Sequence, residues 1–122
     1  MNEMNLGTIE THFAELIWEN APIRSGELVA LCQKELGWKK PTTYTVLRKL
    51  CEKGLFVNDG GTVRTLVTQE EYLAEKGERF ITEAYGGSLP AFIAAFTSRR
   101  PLSEAEAAEL QHMIDNARRV DH

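Results

Sequence analysis

The stretch Pro41-Thr42-Thr43-Tyr44-Thr45-Val46-Leu47-Arg48-Lys49-Leu50-Cys51-Glu52-Lys53-Gly54 decides how this chain reads. Its apolar members recur with helical period, Val46, Leu47 and Leu50 on one face with Thr43 and Cys51 beside them. Pro41 suits a first helical turn, where its missing N–H is not needed, and Gly54 ends the helix after Lys53. The opposite face carries Pro41, Thr45, Arg48 and Glu52, flanked by Thr42, Tyr44 and Lys49. Immediately afterwards the period changes. Leu55-Phe56-Val57 is short and β-prone, Asn58-Asp59-Gly60-Gly61 is a tight-turn signal, and 62–68 is rich in β-branched residues. A helix running into a glycine-tipped hairpin is the end of a longer pattern.

Working upstream, the spacing predicts a first helix from about Thr8 to Asn20, with Thr8 as its cap and Ile9, Phe13, Leu16 and Ile17 inward. Pro22 blocks continuation. Ser25 is the expected cap of a second helix, whose buried stripe is Leu28, Leu31, Cys32 and Leu36 and whose stop is Gly37. Three helices and a hairpin give the winged-helix order over residues 1–69. The fold expected is therefore mainly α with one small β-hairpin.

Downstream, residues 70–122 read as a helical arm. Residues 70–84 are amphipathic through Tyr72, Leu73, Phe80, Ile81 and Ala84, and Tyr85-Gly86-Gly87 breaks that helix. Ser88 caps a short apolar helix over 89–96, Arg99-Arg100-Pro101 is a hinge, and Ser103-Glu104-Ala105-Glu106 reads as a capping box. Leu110, Met113 and Ile114 give the last helix its stripe. A compact core ending near residue 69 leaves these apolar faces without cover. A second copy of the chain is the economical partner, with Tyr85, Leu89, Phe92, Ile93, Phe96, Leu110 and Ile114 as the expected dimer contacts.

The net charge of −4 hides an uneven distribution. Residues 38–66 hold six basic residues against two acidic ones, whereas 70–122 hold six basic and ten acidic. A basic stretch centred on an exposed helix face fits a nucleic-acid backbone. Hydroxyls in the first half of that helix, together with Arg48, suit base edges in a major groove. Lys39 and Lys40 precede it in position for phosphates, Lys49 flanks it, and Arg64 on the hairpin suits phosphate or a minor groove. The expected DNA contacts are thus Lys39, Lys40, Thr42, Tyr44, Thr45, Arg48, Lys49 and Arg64. A winged helix that binds protein instead of DNA is the competing reading, and the local basic excess argues against it.

No enzyme constellation emerges. His12, His112 and His122 are scattered without ligand spacing, and Gly86-Gly87 lacks the Lys and Ser/Thr of a phosphate loop. Cys32 and Cys51 fall on apolar helix faces and read as free buried thiols. Residues 1–5 lack the basic start and apolar stretch of a signal peptide, and the apolar runs are short, so a cytoplasmic protein with no membrane association is expected.

With these residues in place, the chain resembles the penicillinase-repressor family, which includes repressors of β-lactamase, of methicillin resistance and of copper-responsive operons. The resemblance rests on Glu15-Leu16-Ile17-Trp18, on Pro41 through Leu50 with Lys53-Gly54, on Leu66-Val67-Thr68 and Glu70-Glu71-Tyr72, and on Tyr85-Gly86-Gly87-Ser88-Leu89 with Leu102-Ser103. It implies a repressor that dimerises through its C-terminal helices on a near-palindromic operator, with Thr42, Tyr44, Thr45 and Arg48 reading bases. In antibiotic-sensing members it further implies an upstream membrane receptor protease and cleavage at an Asn-Phe bond, here Ala95-Phe96. The missing Asn speaks against induction by cutting. Copper-responsive members carry a cysteine-rich tail, whereas this chain has no cysteine after Cys51, so no cofactor or metal is expected.

Overall fold

The computed structural model describes residues 6–118; the Met1–Asn5 stretch and His122, both read above from sequence, lie outside the described residues. Helix α1 spans Thr8–Asn20 and buries Phe13, Ala14, Leu16 and Ile17. Its cap is Gly7, not Thr8: the Glu10 carboxylate accepts the Gly7 N–H at 3.2 Å from within the first turn. Ile9 does not join the inward face and stays 65% exposed, whereas Leu6, just upstream of the helix, is buried in the core.

A two-residue strand, β1 (Ile23–Arg24), follows and was not legible in sequence. Helix α2 (Ser25–Leu36) is capped by Arg24, one residue before the expected Ser25, and ends on Gly37 at φ +70°, a left-handed conformation that a side chain disfavours. Helix α3 runs Lys40–Glu52 and buries Thr43, Leu47 and Leu50, with Val46 half-buried. Strands β2 (Phe56–Asp59) and β3 (Thr62–Thr65) then form the hairpin, with Asp59 opposite Thr62. Gly60 and Gly61 at the tip both have positive φ, which a two-residue turn matched to strand twist requires.

The sheet order is β1-β3-β2, all antiparallel, with Ile23 opposite Val63. Strand β3 stops at Thr65, short of the expected Thr68. There the chain turns inward, and the N–H groups of Leu66 and Val67 both bond the Leu55 carbonyl. The indole N–H of Trp18 donates to the Val67 carbonyl at 2.8 Å, and its ring packs on Phe56 and Tyr72, at 5.4 and 5.5 Å between centroids. This joins the hairpin's exit to α1.

Helix α4 (Gln69–Tyr85) opens on a reciprocal cap, the Thr68 hydroxyl accepting from Glu71 N–H and the Glu71 carboxylate accepting from Thr68 N–H. The chain separates into two compact units, 1–77 and 78–122, so the division falls inside α4, and Tyr72 is buried in the first. In the second unit, Gly86 and Gly87 at positive φ end α4 after Tyr85. Helix α5 spans Leu89–Arg99, past the expected end at Phe96, and α6 spans Glu104–Ala117. Ser88 and Ser103 cap them through their hydroxyls. The expected capping box at Ser103 is only half made, because the Glu106 carboxylate turns to Arg100 in two bonds of 3.2 and 3.3 Å instead of reaching back. Phe80, Tyr85, Phe92 and Phe96 pack edge and tilt in a chain of ring contacts between 5.5 and 6.0 Å.

Candidate nucleic-acid interface

Helix α3 is held along one side and open along the other. Thr43, Leu47 and Leu50 sink into the core formed with Phe13, Ile17, Leu28 and Phe56. On the opposite side Pro41, Thr42, Thr45 and Arg48 are exposed, with Lys39 and Lys40 at the start of the helix. The helix dipole adds partial positive charge at that same end. Hydroxyls, a guanidinium and two ammonium groups thus converge on one open, rigidly backed surface. Such a surface can donate to base edges and phosphates.

Two expected contacts have structural duties. The Tyr44 hydroxyl donates to the Ser25 hydroxyl at 3.0 Å, and its ring lies half-buried against α2, under the Lys40 ammonium at 6.0 Å. Lys49 leans away toward α1, where Glu10 pairs with it at 3.3 Å and with Lys53 at 3.3 Å. Bonded first to the Gly7 N–H and then to these two lysines, the Glu10 carboxyl titrates below its ordinary range, although burial opposes the shift. Arg64 on β3 is exposed and faces Asp59 across the hairpin at 3.6 Å. The Arg48 guanidinium and the Lys39 ammonium stand without an ion pair or hydrogen bond among the described residues.

The pairing of Glu10 with Lys49 and Lys53 and the bond of Ser25 to Tyr44 are not legible in the sequence. An acidic residue in a first helical turn is the only local signal Glu10 offers; its lysines lie in another helix. The thiols of Cys32 and Cys51 are free, and burial pushes both up, so they stay protonated near neutrality. Among the described residues no His, Cys, Asp and Glu side chains gather in a metal-holding group, and no helix is long and apolar enough to cross a membrane.

Residues 6–116 match the family described as penicillinase repressor. This chain belongs to the penicillinase repressor family. It is similar to the penicillinase repressor of Bacillus licheniformis, 25% identical over 111 residues that cover 87% of this chain and 86% of the relative. It is also similar to the methicillin resistance regulatory protein MecI of Staphylococcus aureus, 21% identical over 114 residues covering 90% and 93% of the two chains. Membership makes the protein a transcriptional repressor and not an enzyme. Three helices, a three-stranded sheet and an open α3 face agree with a winged-helix regulator.

The expected dimer residues lie in the second unit. Helices α5 and α6 contain no buried residue within one chain. Leu89, Ile93, Phe96 and Ile114 are exposed, Tyr85, Phe92 and Leu110 half-buried. Phe80 and Met113 are exposed too, and Arg100 lies over the Phe96 ring at 4.8 Å.

Proposed function

We propose that this repressor acts as a homodimer that grips two half-sites of a near-palindromic operator in double-stranded DNA, working in the cytoplasm. The observation that carries the reading is the two-sided character of α3, locked into the core by Thr43, Leu47 and Leu50 while Thr42, Thr45 and Arg48 face outward. The first half of α3 enters the major groove. Arg48 makes two bonds to a guanine, the threonine hydroxyls read neighbouring base edges, and Lys39 and Lys40 meet phosphates. Arg64, tethered only loosely by Asp59, approaches the backbone from the hairpin. Tyr44 acts chiefly by holding α3 to α2, and Lys49 meets phosphate only by leaving Glu10.

The dimer is supported by the surface that α5 and α6 leave open. A monomer that kept Leu89, Ile93, Phe96, Met113 and Ile114 in water would forgo about 25 cal/mol per Å² of burial. Pairing the second units also ties two reading heads together, so the second half-site is met at high local concentration.

The test is fluorescence anisotropy of the purified protein with the DNA upstream of its own gene, titrated at several salt concentrations. The proposal expects binding that outcompetes unrelated DNA by a thousandfold or so, with log affinity falling about 0.9 per phosphate neutralised against log salt. Equal affinity for any sequence, or no dependence on salt, would remove the operator reading.

A further inference from the structure

Between α3 and the hairpin lies a hollow of about 440 Å³, lined by Tyr44, Leu47, Arg48, Cys51, Phe56 and Leu66 among others. Its volume lies within the range of small-molecule sites. Two features give it a chemical character. The walls are apolar: Leu47 and Phe56 belong to the core, and Leu66 stands at the mouth 58% exposed, where an apolar side chain gains nothing from water. The one cation on the lining is Arg48, whose guanidinium has no carboxylate and no hydrogen-bond partner among the described residues. Nearby basic groups are already engaged: Lys49 and Lys53 by Glu10, Arg64 by Asp59. Asn58, also on the lining, spends its carboxamide oxygen on the Gly61 N–H, which leaves its NH2 as a second donor. The lining itself carries no carboxylate: the Cys51 thiol is kept protonated by burial, and the nearest negative charge felt there is that of Glu52, the next residue along α3 and not part of the lining.

We propose that this hollow binds a small amphipathic carboxylate, its charged end on Arg48 and Asn58 and its apolar body on Leu47, Phe56 and Leu66. A planar fork of N–H donors matches a carboxylate in two bonds. A free inorganic anion would leave the apolar walls wet, and a neutral apolar molecule would leave Arg48 unanswered. The consequence rests on the DNA-binding reading above: the ligand takes the guanidinium that would otherwise read a base, so carboxylate and operator compete. This supplies an induction route that needs no cut in the chain.

The experiment titrates the intact, isotope-labelled protein with benzoate, cyclohexanecarboxylate and indole-3-acetate, with benzamide as the uncharged control, following amide resonances. At least one carboxylate should give saturable shifts at Leu47, Arg48, Val57 and Leu66 with Kd on the order of 1 mM, a normal value for so few atoms. Benzamide should bind at least about fivefold more weakly, and Arg48→Gln should weaken the carboxylate by about tenfold without altering the spectrum elsewhere. No saturable shift from any carboxylate, or equal binding of benzoate and benzamide, overturns the site. A second arm measures operator binding with and without the carboxylate at matched ionic strength. The wild type should lose affinity with added carboxylate, whereas Leu66→Gln, which leaves Arg48 in place, should bind DNA normally and lose that response. If DNA binding fails but the carboxylate still saturates Arg48, the operator reading falls and the ligand site stands; if DNA binds and no carboxylate does, the reverse holds.

Discussion

Replacing Glu10 by Gln removes one charge from the joint between α1 and α3 while keeping the side chain's size and its ability to accept the Gly7 N–H. Three contributions are lost. The Lys49 ammonium is 58% exposed, and such a pair contributes only a few tenths of a kcal/mol. The Lys53 ammonium is 25% exposed and better shielded, so its pair is worth about 1 kcal/mol. A carboxylate in the first turn of a helix adds about 0.5 kcal/mol against the dipole. Together the loss is about 1–2 kcal/mol, and each kcal/mol lowers the melting temperature by about 4–8 °C in a domain of this size. The pH dependence gives an independent check. Because the fold holds this carboxyl below its ordinary range, its stabilisation is fully present above the unfolded value of about 4.3 and fades as pH falls through the folded value. Thermal melts by circular dichroism should therefore separate wild type from Glu10→Gln at pH 7 and draw them together as the pH falls below the unfolded value. A double-mutant cycle with Lys53→Gln should show a coupling of about 0.5–1 kcal/mol. Equal melting temperatures at pH 7, or a gap that persists unchanged into acid, would refute the account of this joint.

Other expectations follow from the same geometry. Arg48→Ala should cost about 1–3 kcal/mol on operator DNA, relax preference at one base and barely change binding to random DNA, whereas Lys40→Ala should weaken all sequences alike and flatten the salt slope; a uniform loss from both would misplace α3 in the groove. The chain should sediment as a dimer, and Leu89→Asp with Ile114→Asp should make it a monomer that binds one half-site weakly; a double variant that stayed dimeric would move the interface elsewhere. Trp18→Phe deletes the bond to the Val67 carbonyl and should destabilise the first unit by about 1–2 kcal/mol in urea melts, with no change expected in sedimentation. Cutting at Ala95-Phe96 should not accompany induction, because the bond lies within α5 and must unfold before a protease can seat it; a fragment ending at Ala95, seen by mass spectrometry after antibiotic challenge, would contradict this.

Local physics made much of this protein legible from its residues alone. Helix spans follow from a 3.6-residue apolar period that needs no knowledge of the partner surface, which is why α1 and α3 lie where Phe13, Ile17, Leu47 and Leu50 put them. The hairpin tip follows from Gly60 and Gly61, since few other residues accept positive φ at both turn positions. The outward face of α3 follows from the same period by subtraction. What the tertiary structure alone decided are matters of distant neighbours. Strand β1 is too short to carry a pattern and exists because Ile23 meets Val63. Lys49 and Arg48 are adjacent in sequence and both basic, yet one is paired with Glu10 and the other stands open, since a step of one residue swings a side chain by about 100° around the helix. Ile9 satisfied the inward period and still stayed in water, while Leu6, outside the helix, is buried in the core. Periodicity assigns a side chain to a face; only the packed neighbours determine whether that face is covered, paired or free.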